Sequence, residues 1–311
     1  MADEADKLIA GSSLWRDAWR RLLRNKLAVF GMIVVVVIVL ASVIGPTVIQ
    51  RATGYAYDVI PKDTRLNKSF APFRSPEGGF SWTHPMGTEN AGRDILARVL
   101  SGGQISLMVA LIATLVSLVL GVSYGAIAGY VGGRIDDVMM RVVDVLYSLP
   151  YVIIVIVLLA LLPAKTPTGQ LAELFFALGA VSWLTMARIV RGQVMSLKHQ
   201  DFILAARATG VSTPKIIFRH LVPNALGPVI VYATLTIPSV MLSEAFLSFL
   251  GLGVRPPRVS WGSLAADGAQ TLAIFPWQLI FPGVTMALML LSLNFLGDGL
   301  RDALDPQMKK Q

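Results

Sequence analysis

Residues 27–50 read LAVFGMIVVVVIVLASVIGPTVIQ, without one Asp, Glu, Lys or Arg, and Val34–Leu40 within them is an unbroken run of β-branched residues and Leu. A helix rises about 1.5 Å per residue, so about 20 apolar residues cross a hydrocarbon core of about 30 Å. The stretch is long enough to span a membrane. A secretory signal would have a shorter apolar region of about 7–15 residues followed by a small-residue cleavage site. No clear cleavage site follows here, so the stretch reads as an uncleaved anchor.

The same pattern recurs along the chain. Residues 99–133, 145–164, 220–243 and 268–297 are free of Asp, Glu, Lys and Arg, and a shorter free stretch covers 174–187. These predict an all-α membrane protein with six transmembrane helices near 28–48, 104–129, 140–162, 171–190, 226–249 and 278–297. The composition agrees: 54% of the 311 residues are hydrophobic and 15% charged, against about 25% charged in ordinary soluble domains. The net charge of +8 suits nucleic acid in principle. In a chain of this hydropathy it reads instead as Lys and Arg gathered in cytoplasmic loops, with no nucleic-acid partner. There is no cysteine, which excludes disulfides and Cys-ligated metals.

Six spans put both termini on one side. If that side is cytoplasmic, Lys and Arg divide 17 inside against 10 outside, and seven of the ten sit in or beside one long loop. Long loops cross membranes largely regardless of charge, so both termini are expected in the cytoplasm. Two extramembrane stretches are too organised for linkers: an outer loop from about Gly45 to Ser101, and a cytoplasmic stretch from about 192 to 225.

Within the second, residues 201–224 read DFILAARATGVSTPKIIFRHLVPN. Asp201 can open a short helix whose middle, Ala205, Ala206 and Ala208, combines high helix propensity with small side chains. Gly210 can end it in the left-handed conformation. Thr213 offers a cap and Pro214 suits a first turn. A second helix carries Ile216, Ile217, Leu221 and Val222 and is expected to stop at Pro223. Two readings fit: a helical membrane-proximal loop, or a smooth Ala face that another protein's backbone can approach closely.

The stretch resembles the cytoplasmic coupling loop of binding-protein-dependent ABC importers: Glu-Ala-Ala, three residues, Gly, nine residues, then His-x-x-Pro-Asn. Ala205, Ala206, Gly210, His220, Pro223 and Asn224 match, while Leu204 stands where the pattern has Glu and Asp201 lies one turn earlier. Further segments are similar to the oligopeptide, dipeptide and nickel permeases: Ser13–Arg21, His84–Asp94, Ser101–Leu107, Gly132–Asp137, Ser182–Arg188 and Asn294–Pro306. Ser101–Leu107 and Ser182–Arg188 lean toward the oligopeptide-permease C subunits.

The resemblance implies a type I importer permease that forms half of a translocation pore in a bacterial inner membrane. Residues 1–101 would supply the cytoplasmic lead-in, first span and outer loop, and residues 102–311 the transmembrane core. It implies a homologous permease partner, two ABC ATPase subunits gripping the loop at Asp201, Leu204, Ala205, Ala206, Gly210, Pro214, His220, Pro223 and Asn224, and an extracytoplasmic peptide-binding protein. ATP and Mg would be bound by the ATPase subunits, with no cofactor in this chain, since it holds no Gly-x-x-x-x-Gly-Lys-Ser/Thr loop.

His84, Glu89 and Asp94 have no standard zinc spacing, and Gly87 and Gly92 between them read as turns; a short helix over Arg93–Leu100 is expected to lie on the outer membrane surface. Glu244, near the outer end of the fifth span, either lines the substrate path or satisfies backbone groups near Gly251 and Gly253. Asp144 is expected to pair with Arg141 one turn away. His199 reads as a solvated loop residue. A proton-coupled carrier would need a chain of buried ionisable groups, for which Asp144, Glu173 and Glu244 are the candidates. An intramembrane protease would need a catalytic pair, and none is found.

Overall fold

The computed structural model describes residues 14–61, 63, 68–74, 79–161 and 163–304. Ser13 of the lead-in and Asp305 and Pro306 of the tail motif lie outside them. The described residues form helices, with two isolated β-bridges in the outer loop, Arg74 with Phe80 and Thr88 with Asp94.

Helix α1 (Leu14–Arg24) is short and amphipathic. Asn25 then turns the chain: its side chain accepts the N–H groups of Leu27 and Ala28 at 3.1 and 3.2 Å, starting α2 (Lys26–Thr53), the first span. The outer loop is tied by His84, whose Nδ1 lies 2.8 Å from Asp94 Oδ2, while Asp94 Oδ1 accepts the Ala97 N–H at 2.7 Å. Asp94 is thus the cap of α3 (Ile95–Val131). Glu89 pairs with Arg93 and, at 3.0 Å, with Arg98. These residues fasten the loop, and among the described residues no group of three His, Cys, Asp or Glu could hold a metal ion.

The separate surface helix expected over Arg93–Leu100 is instead the opening of α3. The Asp94 cap starts the helix there, and its 37 residues run about 55 Å, well beyond a hydrocarbon core of about 30 Å.

The expected third span is broken. Helices α4 (Gly133–Ser148) and α5 (Tyr151–Leu161) meet at 91°. The cause is local: Pro150 disfavours helical geometry in the residue before it, and Leu149 is extended at φ −83°, ψ 140°. Helix α6 (Pro167–Leu197) follows, started by Thr166, whose side chain accepts the Gly169 N–H. Then come α7 (Asp201–Ala208), α8 (Thr213–Lys215), a π-helical turn (Ile216–Leu221), α9 (Val222–Asn224), α10 (Leu226–Phe249), α11 (Trp261–Gln270) and α12 (Trp277–Leu304). Five helices, α2, α3, α6, α10 and α12, are long and apolar enough to cross a membrane, and the bent pair supplies the sixth crossing if it passes as one.

Membrane helices gain little from hydrophobic burial against each other, so close packing through small residues holds them together. Gly121, Gly125 and Gly129 form one row of α3 pressed on α6. A Cβ on Gly121 would lie 2.6 Å from Met186 Cβ, and one on Gly129 2.7 Å from the Arg191 carbonyl. Ser117 donates to the Ser182 carbonyl at 2.9 Å along the same seam. By contrast α2 leaves Leu27, Phe30, Ile33, Val37 and Leu40 exposed, as a lipid-facing helix should.

Glu244 of α10 is held by serine hydroxyls, and its carboxylate bonds neither Gly251 nor Gly253. It is 1% exposed, and it accepts hydrogen bonds from Ser260 (2.6 Å), Ser248 (2.7 Å) and Ser106 (3.4 Å). Ser106 belongs to α3 and Ser260 caps α11 through a reciprocal bond with Ser263, so one carboxylate joins three helices. Trp261, fully buried beside it, donates from its indole to the Val99 carbonyl at 2.7 Å.

Candidate coupling elbow and hydroxyl-lined cleft

The elbow between α6 and α10 begins from a fixed base. On α6, Arg191 grips Asp136 of α4 with both ends of its guanidinium (2.6 and 2.7 Å), and Arg188 reaches Asp144 at 2.7 Å while lying 4.2 Å over the Tyr147 ring. Asp144 therefore pairs across helices, not with Arg141 in its own. Lys198 closes α6 by donating to the Gly129 carbonyl at 2.9 Å.

Helix α7 opens at Asp201, as expected, and ends in the arrangement that glycine permits. Gly210 has φ +76°, its N–H reaches the Arg207 carbonyl, and the Val211 N–H reaches back to Ala206 at 3.1 Å. A non-Gly residue pays a steric penalty there of about 1–2 kcal/mol. The second arm starts at Thr213, but the flanking residue is Ser212 and neither hydroxyl makes a cap bond; Pro214 sits in the first turn. Pro223 does not stop this arm. The chain widens into the π turn, where the Val222 N–H bonds to the Ile217 carbonyl, and continues through Asn224, whose side chain donates to the His220 carbonyl at 2.6 Å.

One side of the elbow is buried. Ile203, Ala206, Ile216, Ile217 and Leu221 pack with Ala126, Met186, Val190, Val194 and Val229. Burying a large aliphatic side chain contributes about 1.5–3 kcal/mol, so the four Ile and Leu side chains alone fix the elbow firmly to its base. Arg207 stacks over Tyr130 at 4.9 Å. The opposite side is open: Asp201, Phe202, Leu204, Ala205, Ala208, Pro214, Phe218, Pro223 and Asn224 are exposed. Ala206, expected on the docking face, turns inward. His220 is half-buried and His199 exposed.

A second feature escaped the sequence reading. At the α4–α5 bend a cleft of about 510 Å³ is lined by the hydroxyls of Tyr147, Ser148 and Tyr151, of Ser182 and Thr185 of α6, and of Tyr232, Thr236, Ser239 and Ser243 of α10, interleaved with apolar Leu146, Leu149, Pro150, Val181, Leu184 and Val240. None of its lining residues is charged. The four hydroxyl residues from α10 recur at helical spacing on one face, the signal that would have found them. The acids expected of a proton carrier are engaged separately: Asp144 with Arg188, Glu173 with the Ala164 N–H at 3.0 Å, and Glu244 with its serines.

A family model described as the inner membrane component of binding-protein-dependent transport systems matches residues 121–310. The chain belongs to that family. A model of the N-terminal transmembrane domain of oligopeptide transport permease C matches residues 13–72 of the permease. It is 48% identical over 300 residues to the oligopeptide transport system permease protein OppC of Escherichia coli K12, covering 96% of this chain and 93% of that one. It is 44% identical over 310 residues to OppC of Haemophilus influenzae (99% and 93%), and 40% identical over 309 to the dipeptide permease DppC of Bacillus subtilis (99% and 90%). Among solved structures, the inward-facing MetNI methionine ABC transporter matches with a TM-score of 0.52 at 21% identity, over 67% of this chain and 96% of that one. The fold is that of an ABC importer permease. Such permeases are transport proteins of the bacterial inner membrane, not enzymes, and they work with ATPase subunits.

Proposed function

We propose that this permease forms half of the translocation pore of an ATP-driven oligopeptide importer and that its elbow is the handle through which ATPase subunits move it. The observation that carries this reading is the two-sidedness of the elbow. Its inner side is anchored in the α3, α6 and α10 core, and its outer side offers the exposed apolar residues Leu204, Ala205, Ala208 and Phe218. An exposed apolar patch of this kind suits a protein partner. Asp201, Gly210, Pro214, His220, Pro223 and Asn224 shape the handle; Leu204 and Ala205 touch the partner; Ala206 holds the handle to its base.

Both termini and the elbow lie in the cytoplasm in this reading, following the Lys and Arg distribution. Residues 1–101 supply the lead-in, first span and outer loop, and residues 102–311 the importer core. A homologous permease completes the pore, and an extracytoplasmic peptide-binding protein delivers substrate to the outer face. ATP closes the ATPase pair and draws the two elbows together, the helices rock as rigid bodies, and the cleft at the α4–α5 bend passes the peptide. Its serine and threonine hydroxyls largely donate to carbonyls of their own helices, which leaves their oxygens to accept from any peptide N–H without selecting side chains.

Because the chain has no cysteine, a single Cys at Leu204 gives an unambiguous cross-link to the ATPase subunit. Ala205→Glu should insert normally yet abolish ATP-dependent uptake of tri- to pentapeptides. Uptake at the parent rate by that variant refutes the docking role. Uptake of dipeptides in preference to longer peptides would move the substrate to the class named for the Bacillus subtilis relative.

A further inference from the structure

The outward face of α1 is not used by the elbow, the cleft or the core. Ala18 and Leu22 are buried against Leu296, Leu300, Ala303 and Leu304 of α12, which fixes which side of α1 points away. That side carries Arg16, Arg20 and Arg24 in a row at i, i+4 and i+8, all exposed, and beside them Trp19 (53% exposed) and Leu23 (47%). Lys26 and Leu27, also exposed, extend the face across the Asn25 joint into α2. Among the described residues the ion pairs engage His84, Arg93, Arg98, Arg188 and Arg191, and not these three arginines.

We infer that this face binds anionic phospholipid headgroups of the cytoplasmic leaflet. Two features favour lipid over a soluble protein. The apolar row does not end with α1: Trp19 and Leu23 lead into Leu27, Phe30, Ile33 and Val37, the exposed membrane-facing surface of α2. A soluble protein seated on α1 could not follow this row into the bilayer, and a second permease could follow it but would gain nothing from the row of like charges unless it brought acids to meet them. The row of guanidiniums stands where a helix lying at the interface meets headgroups, its Trp and Leu dipping into the acyl boundary, and long basic side chains keep their charge at headgroup level while their stems stay apolar. The anion wanted is a phosphodiester with a net negative headgroup, since a zwitterionic one offers no net attraction. The inference rests on the cytoplasmic placement of α1 proposed above.

The test counts lipids on the full chain purified in mixed micelles of phosphatidylglycerol and phosphatidylcholine, by native mass spectrometry. The parent chain should retain phosphatidylglycerol preferentially, and the preference should fall as salt rises. Each basic residue near an anionic surface is worth about fivefold in partitioning. R16Q/R20Q/R24Q should therefore lower the preference by about a hundredfold at low salt, while R16K/R20K/R24K and the exposed control Arg134→Gln keep it. Equal preference in the Gln and parent chains, or a preference indifferent to salt, overturns the inference. So does loss of ATPase co-purification by the Gln variant with lipid counts unchanged, which would assign the face to a protein. Labelling of a cysteine at Leu23 from outside intact cells by a membrane-impermeant thiol reagent would overturn leaflet and orientation together, whereas failure of the lipid counts alone leaves the orientation standing.

Discussion

Gly121→Ala adds one methyl where α3 meets α6. In the present packing that carbon would stand 2.6 Å from Met186 Cβ, 2.7 Å from Met186 Cγ and 2.9 Å from the Trp183 carbonyl oxygen. Apolar carbons settle at about 3.5–4.0 Å, and neither the Met186 Cβ nor a backbone carbonyl can swing aside. The helices must part by about 1 Å, which weakens the neighbouring Ser117–Ser182 bond and the ring contact between Tyr124 and Trp183 at 4.9 Å. Overpacking of this kind costs about 1–3 kcal/mol. Gly192→Ala in α6 is the matched control, because a Cβ there meets nothing within 4 Å and no proline follows. With no clash to offset it, Ala is favoured over Gly in a helix interior by roughly 0.5–1 kcal/mol. The assay is the temperature at which each variant, in the same mild detergent, loses its monodisperse chromatographic peak. Gly121→Ala should fall by several degrees and Gly192→Ala should hold or rise. Equal shifts would refute the idea that the glycine row sets the helix separation.

Three further outcomes are expected. Gly210→Ala forces a left-handed backbone on a residue with a side chain, costing about 1–2 kcal/mol; uptake should drop with membrane insertion unchanged, measured by transport and by surface labelling in parallel. Glu244→Ala leaves the Ser106, Ser248 and Ser260 hydroxyls without their acceptor and should destabilise the chain by about 2–5 kcal/mol, read as thermal loss. The ratio of uptake between acidic and basic peptides should stay that of the parent, and a changed ratio would put the carboxylate in the path. Ser239→Trp, placed in the cleft at the bend, should slow uptake roughly tenfold, about 1.4 kcal/mol of barrier, without altering ATPase association.

The five long apolar helices are legible because charge is so costly in hydrocarbon that its absence marks them. The elbow is legible from Gly210, whose backbone requirement can be read in one letter. Its facing is not: Ala205 and Ala206 are adjacent and alike, and only the packing of Ile203, Ile216 and Leu221 decides that Ala206 turns inward. Glu244 shows the same boundary. Its serines lie at 106, 248 and 260, and no local pattern announces that α3 and α11 will meet α10 there. Asp144 had a partner one turn away in Arg141, but the approach of α4 to α6 brings Arg188 within reach, and the planar guanidinium stacked on Tyr147 wins. The bend at Leu149–Pro150 could have been read from the proline alone. A charge-free run hides it, because hydropathy records composition and not direction.

That bend has a consequence for water. Where a helix breaks inside a bilayer, its freed peptide groups find no partners in acyl chains and must face protein or solvent. Around Leu149 and Pro150 the chain offers hydroxyls and an open cleft, so in the pore proposed above water can meet the freed groups. A wet, uncharged corridor would dissipate the ion gradients of the cell if it ever opened to both compartments at once. One chain that leaves it open at the side cannot close it alone. On the pairing proposed above, the seal against leakage is a property of two permeases pressed together.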